Sequence, residues 1–472
     1  MRFLTYCATM KPSYDELLEK YNELLEENVK LRALVRELMG RIAHLESQLK
    51  QNSKNSSKPP SSDQKPNLTP KQNRKDRSYH SGASRQLLPE SAVTSREVRT
   101  IENCPHCHSQ MVSTGEVYKW QQIELPEIKP LVHQIELHTC RCPNCNFVAQ
   151  PELQDHEQFL LGPRLESLVN LCLGQFRQRH RSVREFMAVL IPGLELSQGL
   201  ISKIKARVAR ALDRARTELK EAVLSKNGPT HVDATGWRHL GRNEHAIVIR
   251  VGNVVHFELV PWQNGETLSE LFGRRKIEQL ITDRGLATSK LDTRIHQYCL
   301  AHLLRNIRGL AEHSATTLQE SERLGEVYDI LQELFHDKHR LDRGEISVLT
   351  WRQYGYAKWD LMKEILEEIL DGQPTAKVKR ACRRMLKDWN HFKVYLRCRD
   401  HPMTNNPAEE SLRNLVIARK LCFGSRSDYG RVWRASMQSC LESLRRNGLS
   451  VLDFLTQVIQ ASRLGSPYPS IV

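Results

Sequence analysis

A heptad repeat near the start of the chain is the feature that most restricts its architecture. From Leu17 to Leu49, apolar positions recur at alternating spacings of four and three for more than four heptads. Such a seam is typical of a coiled coil, in which helices bury their apolar stripes against each other. We therefore predict a coiled-coil dimerisation helix over residues 10–50. The seam consists of Leu17, Tyr21, Leu24, Asn28, Leu31, Val35, Leu38, Ile42, Leu45 and Leu49.

Two features of this segment bear on how it pairs. Asn28 lies on the seam, where a polar residue selects an in-register parallel dimer at some cost in stability. Leu18, Leu25 and Leu34 widen the apolar stripe beyond the seam. A trimer, or a single helix packed against its own domain, is therefore an alternative to the dimer.

The length and charge of the chain restrict its class. At 472 residues it exceeds one ordinary core, so about two to four domains are expected. Lys and Arg number 70 against 55 Asp and Glu, and this net charge of +15 favours a polyanionic partner. No apolar run approaches the ~20 residues of a membrane-spanning helix. Nucleic acid is therefore a better partner than a membrane.

The cysteines and the first residues bear on the cellular compartment. The opening MRFLTYCATM contains too short an apolar run for a secretory signal. The 12 cysteines are clustered and are not spread as a disulfide framework. We therefore predict reduced thiols and a cytoplasmic protein.

Residues 51–90 differ in composition from the heptad segment. They are rich in Ser, Asn, Pro and Lys and poor in apolar side chains. Such a stretch cannot bury enough surface to offset its ordering entropy, so we predict a disordered basic linker. It is either a plain spacer or a segment that lies along a phosphate backbone.

Residues 98–151 contain two C-x-x-C motifs separated by strand-like stretches such as residues 114–128. Four thiolates at this spacing suit a closed tetrahedral zinc site, so we predict a zinc ribbon whose metal is structural. The predicted ligands are Cys104, Cys107, Cys142 and Cys145. Competing ligands are His106, His108 and Cys140.

Residues 160–226 have a helical pattern. One helix precedes a turn at Pro192–Gly193, and Ser197 is placed to cap the next helix. The second helix carries Lys203 and Lys205. This pattern predicts a helix-turn-helix-like DNA-binding region, although an ordinary helical hairpin fits it equally well.

Beyond residue 226 the pattern changes to strands. Three runs at hairpin spacing precede a helix near TLSELFG, and KIEQLITDRG and IHQYCLAHLLRNI each contain a further strand. Three antiparallel strands, a crossover helix and two further strands are the plan of a ribonuclease H-like core. We predict this α/β core over residues 227–309 and 400–465. A helical insertion over residues 310–399 interrupts it, and we expect its aromatic side chains to pack and not to stack on bases.

Three acidic residues occur where such a core would place them. Asp233 lies in an apolar strand, Asp283 ends a buried strand, and Glu409 begins a late helix in TNNPAEESLRNLVIARK. Together they would bind two Mg²⁺ or Mn²⁺ ions, which can activate a nucleophile and stabilise a leaving oxygen in phosphoryl transfer. Taken singly, Glu409 also suits the positive end of a helix dipole, and Asp283 is a common kind of strand end.

Several stretches match a known family in order along nearly the whole chain. They are the leucine zipper, NSKNSSKPPSSD, CRCPNC, HVDATGWR, LITDRG, CLAHLLRNI, TNNPAEESLRNLVIARK and GSRSDYG. On these stretches the chain resembles the insertion sequence 66 family of bacterial DDE transposases. The resemblance implies a multidomain α+β protein, zinc-binding cysteines at the two C-x-x-C motifs, and catalytic acids at Asp233, Asp283 and Glu409. Glu410, where the family often has a basic residue, is a second carboxylate that competes with Glu409.

The resemblance implies metal-dependent cleavage at insertion-sequence ends and strand transfer into target DNA. The partners are then both of these DNAs, a second copy of the chain and small companion proteins of the same element, and the protein joins the nucleoid when bound to DNA. A catalytically inactive DNA-binding regulator and a structure-specific nuclease of the same fold are the alternatives. The predicted DNA-binding residues are Lys203, Lys205, Asn405, Asn406, Arg413, Arg419, Lys420 and Arg426.

Overall fold

The computed structural model describes residues 13–50, 86–285, 287–288 and 290–472. The chain divides into two compact units. The first comprises the described residues of 1–64 together with 137–187 and 195–472, and the second comprises those of 65–136 together with 188–194. None of the described helices is long and apolar enough to cross a membrane.

The predicted heptad segment forms one long helix, α1, from Tyr14 to Lys50. The seam positions whose side chains are described are exposed in the single chain, since Leu24 is 62%, Leu31 52% and Leu45 57% accessible. The pairing of two such helices remains a prediction. Most of the predicted linker, residues 51–85, lies outside the described residues.

The region predicted as a zinc ribbon contains little regular structure. Residues 114–128 are all described and contain no strand, so the predicted strand there is wrong. Its alternating apolar residues are mostly exposed, as Trp120 illustrates at 72%. Strand preference depends on packing against neighbouring side chains, and these residues lack that packing. The only strands within residues 98–151, all of which are described, are β1 (Cys140–Arg141) and β2 (Val148–Ala149), which pair antiparallel around the second C-x-x-C motif.

The predicted helical region is helical. Gly193 adopts a positive φ of 86° at the predicted turn. Ser197 caps the following helix as expected, because its Oγ accepts a hydrogen bond of 3.0 Å from the Leu200 N–H. The helices are α2 (Pro163–Gly174), α3 (His180–Leu190), α4 (Gln198–Ala211) and α5 (Asp213–Ser225).

A five-stranded sheet follows, in the order β5-β4-β3-β6-β7. The strand β4 pairs antiparallel with both β3 and β5, and β6 and β7 run parallel to β3. A short crossover helix, α6, lies between β5 and β6. The bounds are β3 (Thr230–His239), β4 (Arg242–Val251), β5 (Val254–Val260), α6 (Gly265–Leu271), β6 (Ile277–Thr282) and β7 (Thr293–Tyr298).

Two C-terminal helices, α12 (Asn406–Cys422) and α13 (Asp428–Arg446), cover this sheet. The last helix, α14 (Val451–Leu464), packs mainly against α2. The free edge of β5 would expose unpaired backbone groups, but α13 satisfies them with small hydroxyl side chains. Ser439 Oγ accepts from the Phe257 N–H at 2.8 Å, and Ser443 Oγ accepts from the Val255 N–H at 3.0 Å. This edge is therefore closed to further strands.

The insertion between β7 and α12 has its own apolar core. Trp351, Trp359 and Trp389 are buried in it, which confirms that these aromatics pack, whereas Tyr354 and Tyr356 are exposed. The helices are α7 (Leu300–Ala311), α8 (Leu318–Asp342), α9 (Val348–Asp371), α10 (Ala376–Lys387) and α11 (Trp389–Phe392).

Candidate active site

Three carboxylates converge at one end of the sheet. Val232 of β3 is paired with Thr282 of β6 in parallel register, so the next residues, Asp233 and Asp283, follow side by side. Glu409 lies in the first turn of α12, and this helix packs against β3. Residues far apart in the sequence are thus brought to a single edge.

The electrostatics of Asp233 reflect this convergence. Burial, together with the nearby charges of Asp283 and Glu409, raises the pKa of its carboxyl to about 7, although the Ala234 N–H opposes the rise. That N–H donates to Asp233 Oδ1 at 2.7 Å. Three acids in this position repel one another unless a cation compensates them.

Two residues on α7 contact the other two acids. His302 Nδ1 lies 2.8 Å from Asp283 Oδ1 and 3.4 Å from Glu409 Oε1. Arg305 Nη2 lies 3.3 Å from Glu409 Oε1 and 2.9 Å from His302 Nε2. Burial lowers the pKa of His302, but the hydrogen bonds and charges of Asp283 and Cys299 outweigh burial and raise the pKa to about 10.

The donor set fits a divalent cation. Within the described part of the chain, Asp283, Cys299, His302 and Glu409 each offer a ligand atom within 4.8 Å of the others, whereas Asp233 is not in this group. The buried Asp283 Oδ1 has no hydrogen-bond partner of good geometry there, despite its charge contact with His302. An orphaned carboxylate oxygen beside further carboxylates suits the hard oxygen coordination of Mg²⁺ or Mn²⁺.

The structure separates Glu409 from Glu410. Glu410 pairs with Arg250 at 3.0 Å and with Arg446 at 3.2 Å. The hydrogen bond from Arg250 is the largest of the effects that lower the pKa of Glu410. Glu409 alone of the two joins the cluster with Asp283, so the structure favours it as the third acid of the site.

Asn405 does not lie at the surface, where a residue that contacts DNA has to lie. It is fully buried. Its Nδ2 donates to the Val232 carbonyl at 2.9 Å, and its Oδ1 lies 3.2 Å from His231 Nδ1. Its backbone N–H donates to Cys299 Sγ at 3.2 Å. The prediction of a phosphate contact is therefore wrong, and Asn405 instead ties the start of α12 to β3.

Lys205 is also placed differently from the prediction. Its ammonium lies 4.5 Å from the ring centroid of Trp433. Burial, together with the nearby charge of Arg434, lowers the pKa of Lys205 to about 8. A side chain that packs on a buried tryptophan is not free to contact DNA, so this prediction is corrected as well.

The other predicted DNA contacts lie at or near the surface. Arg419 is half-buried and donates to Thr235 Oγ1 at 3.0 Å and to the Gly236 carbonyl. Its guanidinium is therefore partly occupied by β3. The exposed members are Lys203, Asn406, Arg413, Lys420 and Arg426.

The sequence did not predict that His302 and Arg305 contact the acids of the site. Their i,i+3 spacing in CLAHLLRNI places both on one helix face. The pattern gives no sign of which acids that face meets, because the meeting depends on how α7 and α12 pack. The signal available was the position of His302, three residues after Cys299 and shortly after a predicted catalytic strand.

Both C-x-x-C motifs have the same backbone turn. The Cys104 carbonyl accepts from the His108 N–H at 2.9 Å, and the Cys142 carbonyl accepts from the Asn146 N–H at 2.9 Å. His108 and Asn146 both adopt positive φ. Backbone N–H groups of Cys145 and Asn144 lower the pKa of the Cys142 thiol, which favours the thiolate that binds zinc.

Comparisons with known proteins agree with these features. A search of curated proteins found no match. A family of unknown function matches residues 9–87. The zinc-finger binding domain of transposase IS66 matches residues 102–146 and so spans both C-x-x-C motifs. The transposase IS66 family matches residues 180–432, more than half of the chain, including all three converging acids. The chain therefore belongs to the IS66 family of transposases.

Proposed function

We propose that this chain is an active DDE transposase that cuts DNA at insertion-sequence ends and joins the ends to target DNA. The observation that carries the proposal is the convergence of Asp233, Asp283 and Glu409. The raised pKa of Asp233 and the approach of the Asp283 and Glu409 carboxylates to each other support a cation-binding role for the cluster. A regulator that only binds DNA has no need of such a costly group of acids.

The fold supports the same proposal. The sheet order β5-β4-β3-β6-β7, with three antiparallel strands followed by two parallel ones, matches the plan of a ribonuclease H-like core. In our proposal this core spans residues 227–309 and 400–465, and residues 310–399 form the insertion. The acids then lie on the first strand, after the fourth strand and on a late helix.

The three carboxylates would hold two Mg²⁺ or Mn²⁺ ions. When bound, such ions supply an activated nucleophile and stabilisation of the leaving oxygen. The chain's own residues set the geometry for this. His302 and Arg305 hold Asp283 and Glu409 in place, and Asn405 fixes α12 against β3.

The reaction we propose has two phosphoryl transfers in one site. In the first, water attacks a phosphorus atom at the element's end, the P–O3′ bond breaks, and a 3′ hydroxyl is released. In the second, that hydroxyl attacks a target phosphodiester, and the target's own 3′ oxygen leaves. Exposed cations such as Arg413 and Arg426 would hold the DNA backbone.

The zinc-finger match supports a structural zinc ion in the N-terminal half. We assign it to Cys104, Cys107, Cys142 and Cys145. The shared turn of the two motifs and the backbone donors around Cys142 suit four thiolates.

A cleavage assay tests the function with a matched pair of variants. The substrate is a supercoiled plasmid carrying the DNA that flanks the gene, in Mg²⁺. We expect Glu409→Gln to lower nicking at least roughly 100-fold, because even outer-shell changes at metal sites cost 10–100-fold. Glu410→Gln, whose carboxylate faces Arg250 and Arg446, is expected to retain nicking.

The same assay separates the alternatives. A wild-type chain that binds the plasmid without nicking it indicates a regulator. Nicking without joined products indicates a nuclease. Loss of nicking in Glu410→Gln with activity retained in Glu409→Gln would contradict the assigned third acid.

A further inference from the structure

One face of α10 carries an unusual concentration of positive charge. Val378, Cys382 and Met385 are buried, and their spacing turns one side of the helix toward the core of the insertion. The opposite side, which we call the α10 cationic face, is exposed. It consists of Lys377, Arg380, Arg383, Arg384 and Lys387.

These cations differ from their neighbours in how they are compensated. On α8 and α9, lysines pair with carboxylates, for example Lys338 with Asp342 and Lys363 with Glu367. Within the described part of the chain, no ion pair joins the α10 cationic face to a carboxylate. Its members follow one another at i,i+3 and i,i+4 spacing, where like charges destabilise a helix. A face built at this cost suits an anionic partner.

The end of α10 lies next to the candidate active site. Arg284, the residue after Asp283, has its Nε 3.9 Å from Asp388 Oδ2. Asp388 directly follows Lys387, the last residue of α10. The C-terminal end of the α10 cationic face therefore lies near the residue that follows Asp283, and the face leads away from there.

We infer that the α10 cationic face binds the phosphodiester backbone of the DNA duplex that enters the active site. This inference rests on the proposed function. From Arg384 to Lys377 the helix rises about 10 Å, at 1.5 Å per residue. That length corresponds to about three base pairs of duplex. Guanidinium groups bind phosphate oxygens through paired donors, and such contacts carry no sequence preference.

Salt-dependent binding of the full-length chain tests the inference. The probe is a duplex of about 40 base pairs with random sequence, followed by fluorescence anisotropy over a range of NaCl concentrations. Each phosphate contact contributes about 0.9 to the slope of log affinity against log salt. The triple variant Lys377→Ala, Arg380→Ala and Arg383→Ala is expected to lower the slope by about 2–3 and to weaken binding at least tenfold at low salt.

The control is Lys363→Ala on α9, which removes an exposed cation that has its own carboxylate partner. We expect it to leave the slope unchanged. Because the replaced α10 side chains are exposed, the triple variant should have the same melting temperature as the wild type. The variant retains Asp233, Asp283 and Glu409, so nicking at saturating protein reports separately on the proposed function.

Two outcomes would overturn the inference. One is a triple variant with the wild-type slope and affinity. The other is a triple variant that loses affinity for single-stranded RNA of the same length but binds the duplex like the wild type. Either result leaves the proposed function standing if the wild type still nicks the plasmid in Mg²⁺, whereas absence of wild-type nicking rejects that function whatever the slope shows.

Discussion

At the scale of single residues, Asn405 shows how a polar side chain can serve the site without facing it. Its amide joins β3 to the start of α12 through Val232 and His231. We predict that Asn405→Ala lowers the free energy of unfolding by about 2–3 kcal/mol, because it leaves a buried carbonyl without its donor. The control is Asn406→Ala at the neighbouring exposed position, which should change the free energy of unfolding little.

Thermal unfolding of both variants, with nicking measured in parallel, tests this positioning role. We expect Asn405→Ala to melt at a lower temperature and to nick more slowly even where it is folded, because Glu409 is no longer held toward Asp233. If Asn405→Ala melts and nicks like the wild type, the connection between β3 and α12 does not depend on this amide.

At the scale of elements, the sequence correctly predicted features that depend only on residues close by in the chain. Ser197 was recognisable as a cap because capping needs only the following turn. The strand predicted at residues 114–128 failed because a strand requires a partner that the sequence does not reveal. Lys205 and Asn405 were misassigned for a related reason. Both are polar residues, which are usually exposed. The sequence alone does not show that α4 packs on α13 and α12 on β3, which buries Lys205 partly and Asn405 fully.

The C-x-x-C motifs are the element whose metal can be tested most directly. We predict that the purified chain holds about one Zn²⁺ and that Cys142→Ser loses it, since its thiolate is one of four proposed ligands. Cys398→Ser is the control, because Cys398 is an exposed cysteine outside the motifs. Elemental analysis after dialysis gives the readout. Zinc retained in Cys142→Ser but lost in Cys140→Ser would move the ligand to Cys140.

At the scale of the whole molecule, we predict that assembly depends on α1. Its seam places the β-branched Val35 and Ile42 at one heptad position and leucines such as Leu31 at the other, the arrangement that favours two parallel strands. Exposed in one chain, this stripe is a large apolar surface that a second copy would bury. Asn28 on the same stripe would fix the register of the pair.

We therefore predict that the full-length chain is a dimer and that Leu31→Glu converts it to monomers, because the new charge would be buried against its own copy. Ala33→Glu introduces the same charge on the outer face of α1 and should leave the dimer intact. Light scattering of both variants after size-exclusion chromatography measures the mass directly. A Leu31→Glu protein that keeps twice the chain mass would mean that other surfaces join the copies, and a monomeric wild type would mean that the seam packs within its own chain.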